Sequence, residues 1–134
     1  MSNTVTIFDL DDTLADTRSM RDGVSRPIDV QMERMSAAPA LPLAAVAASL
    51  SQTQRVIILT ARTDMPFTRE QVARYGITAE FLFRAAGDNR DDHHVKADHV
   101  RALIAAGVEI VKAYDDKTRN CEMFRSFGID TVSV

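Results

Sequence analysis

The sequence predicts an α/β fold: a five-stranded parallel sheet covered by helices on both faces, in three layers. Three observations carry that prediction. Short β-branched apolar runs alternate along the chain with helical patterns, which builds a parallel sheet through right-handed crossovers. One of those runs, 55–59, is continuously apolar between polar flanks, as a strand buried on both faces requires. Finally, the first, second and fourth strands each end in acids or a hydroxyl, and the carboxyl ends of parallel strands are where such sheets bind ligands. At 134 residues the chain is read as one domain, able to bury roughly two thirds of its unfolded surface.

The first strand holds Val5, Ile7 and Phe8 and runs straight into Asp9-Leu10-Asp11-Asp12-Thr13-Leu14. Asp9 and Asp11, two apart on an extended backbone, start on the same side and can converge. Paired carboxylates this close need a cation or a raised pKa, so they mark a metal site, an acid/base pair, or both. A calcium loop of the EF-hand type is excluded, because Leu14 and Met20 stand where its glycine and glutamate belong. Residues 16–38 are polar and irregular, with Arg18, Arg21, Arg26 and Pro27 ahead of a short helix at 28–35. Pro39 and Pro42 then introduce a helix at 40–50.

Strand 55–59 ends in Thr60-Ala61-Arg62, a hydroxyl and a guanidinium suited to phosphoryl oxygens. A helix at 67–75 closes at Gly76, and a short strand follows at 80–83. In the charged stretch 84–96, Lys96 opens a helical pattern with Val95, Val100, Leu103 and Ile104. A cation gains nothing from the positive end of a helix dipole, so this lysine is expected to serve a phosphate or an acid cluster. Strand 108–113 leads into Tyr114-Asp115-Asp116-Lys117-Thr118, helix 118–127 closes at Gly128, and 129–134 is the fifth strand.

Composition excludes several classes. With 46% hydrophobic and 26% charged residues, no apolar stretch long enough to span a membrane and no signal-peptide pattern, a cytoplasmic protein is expected. The single cysteine, Cys121, fits a reducing compartment. A net charge of -3 argues against a surface dedicated to coating nucleic acid, although 13 of the 16 basic residues are arginine, the side chain that best fits phosphate.

The segment 7–14, a hydrophobic strand followed by Asp-x-Asp-x-Thr, resembles the first motif of the haloacid dehalogenase (HAD) phosphatases. Thr60, Lys96 and Asp115/Asp116 resemble the other three motifs, in order, over nearly the whole chain. The resemblance implies a Rossmann-like HAD fold in which 16–38 forms a flap or minimal cap. Within that superfamily, Arg84, Gly-Asp-x-Arg at 87–90, Asp92, Val95-Lys96, the Tyr-Asp-Asp-Lys-Thr run, and Glu122 to Arg125 with Gly128-Ile129 resemble the 3′-phosphatase domain of phage-type polynucleotide kinase/phosphatases. This narrower likeness is strongest over 84–129 and much weaker over 16–51.

What the resemblance implies is an Mg²⁺-dependent phosphoaspartyl mechanism. Asp9 would be the nucleophile and Asp11 the general acid and base. The metal would be held by Asp9, the backbone carbonyl of Asp11 and Asp115, with Asp116 ligating or orienting water. Thr60 and Lys96 would stabilise the phosphoryl oxygens. Thr13, Arg62, Arg84 and Asp92 would bind substrate or support the site, and Arg18 and Arg21 compete for one further substrate-binding role. Asp12, where many relatives have glycine, is expected to face solvent. No G-x-x-x-x-G-K-[ST] occurs among the five glycines, so the kinase half is not in this sequence, and a separate kinase or ligase partner is expected. The substrate is then a phosphorylated nucleic-acid end or a nucleotide. A nucleotidase of small phosphoesters and a catalytically silent binding module are the other two readings. Oligomeric state is not set by the sequence.

Overall fold

A computed structural model describes residues 3–134. Five strands, β1 (Thr4–Phe8), β2 (Arg55–Thr63), β3 (Glu80–Arg84), β4 (Glu109–Asp115) and β5 (Thr131–Ser133), form one parallel sheet in the order β3-β2-β1-β4-β5. Five α-helices connect them: α1 (Ile28–Met35), α2 (Leu43–Leu50), α3 (Pro66–Arg74), α4 (Asp92–Ala105) and α5 (Thr118–Ser126). The expected three-layer α/β architecture is therefore present. Among the described residues no helix is long and apolar enough to cross a membrane.

Alternation along the central strands explains the layers. Val5, Ile7, Ile57 and Leu59 face one side and pack with Val100 of α4 and Phe124 of α5. Phe8, Val56 and Ile58 face the other, where Leu10, Leu14, Ala44 and Ala47 of α2, and Val72 of α3 close the second core. Because β1 and the first half of β2 are buried on both faces, apolar residues dominate them, interrupted in β1 only by the buried Thr6 and unbroken in β2 from Val56 to Leu59. Strand order reverses beside β1, which places its carboxyl end at the switch point of the sheet.

Two boundaries that bear on the site differ from the sequence expectation, for identifiable reasons. β2 continues beyond Leu59 because, after a register shift, Thr63 pairs with Arg84 of β3, so Thr60 and Arg62 lie inside the strand. The helix holding Lys96 begins four residues earlier, at Asp92, with Asp91 as its extended N-cap. Lys96 thus sits in the second turn, beyond the first-turn N–H groups, facing the sheet. The segment 16–38 contains a 3₁₀ turn at Arg18–Met20 and then α1.

Candidate active site

The site is built on the turn after β1. The backbone there folds back on itself, Leu14 and Ala15 both donating to the Leu10 carbonyl at 2.9 Å, and Asp12 adopts φ of 62°. Aspartate is one of the few side chains that visits this left-handed region readily. Asp12 does not face solvent as expected: it is 8% exposed and accepts from Thr17 Oγ1 at 3.0 Å, Arg18 N at 2.9 Å and Arg21 Nη2 at 3.2 Å. The loop that carries the two arginines is tied down by this one carboxylate, so the turn requires a polar acceptor as well as a permissive backbone.

Asp9, Lys96 and Asp115 meet beneath the turn. Lys96, 1% exposed, donates to Asp9 Oδ1 at 2.9 Å and to Asp115 Oδ2 at 2.8 Å. Thr13 Oγ1 donates to the other Asp9 oxygen at 3.0 Å. Asp115 is fixed further by the Lys117 N–H at 3.0 Å and by Asn120 Nδ2 at 3.1 Å. Burial disfavours the Lys96 charge, yet the carboxylates of Asp9 and Asp115 outweigh it and hold its pKa above the usual lysine value. One ammonium shared between two buried carboxylates satisfies neither fully. Burial therefore pushes Asp9 upward, with Lys96 opposing and Asp115 adding to the rise.

A cation would relieve that arrangement. Asp9, Asp115 and Asp116 each place a carboxylate oxygen within 4.8 Å of the others, and Asp116 Oδ1 is buried without a hydrogen-bond partner. An orphaned buried carboxylate oxygen beside two more oxygen ligands suits a hard divalent ion such as Mg²⁺. The Asp11 carboxylate is not part of this group. It turns to Arg62, whose Nη2 and Nε approach its two oxygens at 2.6 and 3.1 Å.

The remaining residues singled out in the sequence fall into two sets. Thr60 lies buried behind the cleft, its hydroxyl accepting from Arg62 N at 3.2 Å. Arg18 and Arg21 both stand at the cleft, Arg18 also reaching Asp116 Oδ2 at 3.1 Å. Arg84 is drawn away from this cleft. Its guanidinium donates to the carbonyls of Ala61, Asp88 and Arg90 and to Asp92 Oδ1 at 2.6 Å, so it shapes the 84–92 loop. Asp92 accepts in addition from Lys117. Burial raises Asp92, but the Lys117, Lys96 and Arg84 charges together hold its carboxyl below the usual range.

Several neighbours were not picked out from the sequence. Gln71 and Thr68 of α3 accept from Arg62 Nη1 at 2.9 and 3.2 Å, and Lys117 joins Asp92 at the wall of the cleft. Ile28, Met32 and Met35 of α1 line the same cleft, a cavity of about 420 Å³ that also exposes Asp9, Asp11, Arg62 and Asp116. Lys117 follows the paired acids directly in sequence, and the 28/32/35 spacing is helical, so those two signals were available. Nothing local distinguishes Gln71 or Thr68.

Residues 3–134 match the family model of the polynucleotide kinase PNKP phosphatase domain. The chain belongs to that family. As a HAD-type phosphatase domain of PNKP kind, it superposes on a chain of the Pnkp1/Rnl/Hen1 RNA repair complex with a TM-score of 0.77 and 22% identity, covering 98% of this chain and 42% of that one. A second structure of the Pnkp1/Rnl/Hen1 complex gives 0.78 and 23%, over 99% of this chain and 46% of that one. A haloacid dehalogenase-like hydrolase from Streptococcus pneumoniae matches at 0.60 and 14%, covering 97% and 83%. At these identities the superpositions speak for the fold. The PNKP-type domain spans less than half the length of the repair-complex chains it matches. No curated protein sequence matches it.

Proposed function

We propose that this PNKP-type phosphatase domain is an Mg²⁺-dependent phosphomonoesterase that removes 3′-phosphates from polynucleotide ends through an aspartyl-phosphate on Asp9. The observation that carries the reading is the Lys96 bridge between Asp9 and Asp115, with Asp116 beside it and Asp11 gripped by Arg62 at the cleft. Asp9, Asp115 and Asp116 would hold Mg²⁺, which would neutralise phosphoryl oxygens as charge develops.

Asp9, positioned by Thr13 and Lys96, attacks phosphorus and forms the acyl-phosphate bond as the bond to the leaving oxygen breaks. Asp11 enters this step protonated, still held by Arg62, and gives its proton to the leaving oxygen. Asp11, now a carboxylate, accepts a proton from the water that attacks phosphorus, which releases inorganic phosphate and restores Asp9. Lys96 balances charge on Asp9 throughout, and Thr60 orders the strand segment from which Arg62 projects. The segment 16–38 serves as a small cap that leaves the cleft open to a nucleic-acid end. A kinase or ligase acting on the same ends would be supplied separately, a reading supported by the longer, repair-complex chains that the fold resembles.

The test is phosphate release from a 3′-phosphorylated oligonucleotide, a 3′-mononucleotide and a 5′-mononucleotide, with and without chelator. Metal-dependent preference for the oligonucleotide is expected, with Asp9→Asn at least a thousandfold slower, about 4 kcal/mol of barrier. A preference for the 5′-mononucleotide that does not vary with salt would replace this reading with the nucleotidase.

A further inference from the structure

The cleft has an apolar wall that phosphoryl transfer does not use. Ile28, Met32 and Met35 fall at i, i+4 and i+7 on α1, hence on one helix face, and all three line the cavity that exposes Asp9 and Arg62. Ile28 is 73% exposed in spite of its size. It lies where the catalytic cleft meets a second cavity, also about 420 Å³ and lined by Ile28, Met32, Ala61 and Arg84 among others. A phosphate dianion gains nothing from such a surface. The group attached to the phosphate therefore has to supply the apolar contact.

We propose that this face of α1 seats the nucleobase of the nucleotide carrying the scissile phosphate, so that the protein selects nucleotidyl phosphoesters over base-free ones. The inference rests on the phosphatase reading above. Continuity with the catalytic cleft fixes the occupant: whatever lies on Ile28 and Met35 is covalently close to the phosphorus that reaches Asp9. Thioethers are polarisable and pack well on aromatic faces, and every base offers a π-face whatever its sequence. A sequence-independent repair phosphatase needs contacts of that sort, made without reading hydrogen-bonding edges.

The chain contains no tryptophan, so Ile28→Trp gives a single reporter at an exposed position. Its fluorescence is expected to be quenched saturably by adenosine 3′-phosphate and unaffected by ribose 3-phosphate. In turnover, wild-type kcat/KM is expected to favour adenosine 3′-phosphate over ribose 3-phosphate, and Ile28→Ser should cut that ratio about tenfold, or about 1.4 kcal/mol. Val30→Ser, at another exposed apolar position of the same helix, controls for damage to α1 and should leave the ratio where it is. Equal turnover with and without the base, or a ratio that Ile28→Ser does not move, overturns the proposal while leaving the phosphatase reading intact. If neither small compound releases phosphate, the 3′-phosphorylated oligonucleotide decides the phosphatase reading, which falls only if that substrate is inert as well; in either case quenching by the nucleotide alone supports the base seat, and no quenching removes it.

Discussion

Arg62 grips Asp11 at two points, Nη2 to Oδ1 at 2.6 Å and Nε to Oδ2 at 3.1 Å, from a position that is 3% exposed. Its remaining terminal nitrogen is taken by Gln71 and Thr68, and Gln71 in turn donates to the Met35 carbonyl and to the Tyr75 hydroxyl. The orientation of the carboxyl two residues after Asp9 is thus set by a chain of buried polar groups that ends on α1. A planar guanidinium can make this fork and an ammonium cannot.

Arg62→Lys should therefore lose the aim of Asp11 while keeping the charge. Turnover of a nucleoside 3′-phosphate, whose alkoxide must be protonated as it leaves, is expected to fall about a hundredfold, or about 2.7 kcal/mol. An activated aryl phosphate, whose leaving group needs no proton, should lose much less. Comparing kcat/KM for the two substrates decides the point. Equal losses would mean that Arg62 acts on the phosphate or on the fold, and not through Asp11.

Asp116 offers the cleanest test of the metal. Its Oδ1 is buried and unpartnered, and its other oxygen meets the exposed Arg18. Asp115 is a poorer choice, since it is held by Lys96, the Lys117 N–H and Asn120, and truncating it would leave Lys96 with a single buried counterion. Mg²⁺ should stabilise the wild-type protein by about 2.7 kcal/mol at a hundredfold excess over Kd and raise its melting temperature accordingly. Asp116→Asn is expected to fold normally and to lose most of that gain. A full Mg²⁺ response in the variant would take Asp116 out of the ligand set.

The stretches legible in the sequence are those whose signal is local. β1 and β2 show themselves as apolar runs, and Asp9, Thr60 and Asp115 stand at or near strand ends, where sequence order alone brings them to one edge of a parallel sheet. Lys96 stands out in the sequence as a cation at an apparent helix start, although α4 begins at Asp92 and it is the buried Asp9 and Asp115 carboxylates that draw the charge there. What stayed hidden depends on tertiary partners. Asp12 reads as solvated until Thr17 and Arg21 are seen to turn back on it. Arg84 reads as a residue that binds substrate or supports the site, and only the fold shows three carbonyls meeting its donors. Gln71 is an ordinary helix residue in sequence, and only the approach of β2 to α3 gives it Arg62.

Asp92 makes stability depend on pH with a definite sign. Against the effect of burial, Lys117, Lys96 and Arg84 hold its folded pKa below the unfolded value of about 3.9. Near pH 4 the folded state binds fewer protons here than the unfolded state. The contribution is therefore complete above pH 4 and lost as pH falls through the depressed folded value. Asp92→Asn should be less stable than wild type at pH 7 by about 1 kcal/mol, discounted for the partial exposure of the site. Chemical denaturation of both proteins between pH 7 and pH 3 should show the gap closing at the acid end. A gap of constant size would assign the loss to packing or hydrogen bonding that does not involve the charge.

Asp12 sets backbone strain against hydrogen bonding at one residue. Its φ of 62° costs an L-residue roughly 1–2 kcal/mol, which glycine would recover. Glycine would also strip the acceptor from the buried Thr17 hydroxyl and from the Arg18 N–H, at about 1–3 kcal/mol for each donor left without a partner. The second effect is the larger, so Asp12→Gly should be destabilised despite its relaxed backbone. Asp12→Asn keeps a neutral acceptor and tolerates the left-handed conformation, losing only the charge that holds Arg21 at 3.2 Å and Arg18 Nε at 3.6 Å. Melting temperatures are expected to fall in the order wild type, Asp12→Asn, Asp12→Gly. In Asp12→Asn the loosened arginines should raise KM for a 3′-phosphorylated oligonucleotide more than for an aryl phosphate. An Asp12→Gly protein as stable as wild type would mean that strain relief outweighs the lost hydrogen bonds, and that Asp12 does not anchor the arginine loop.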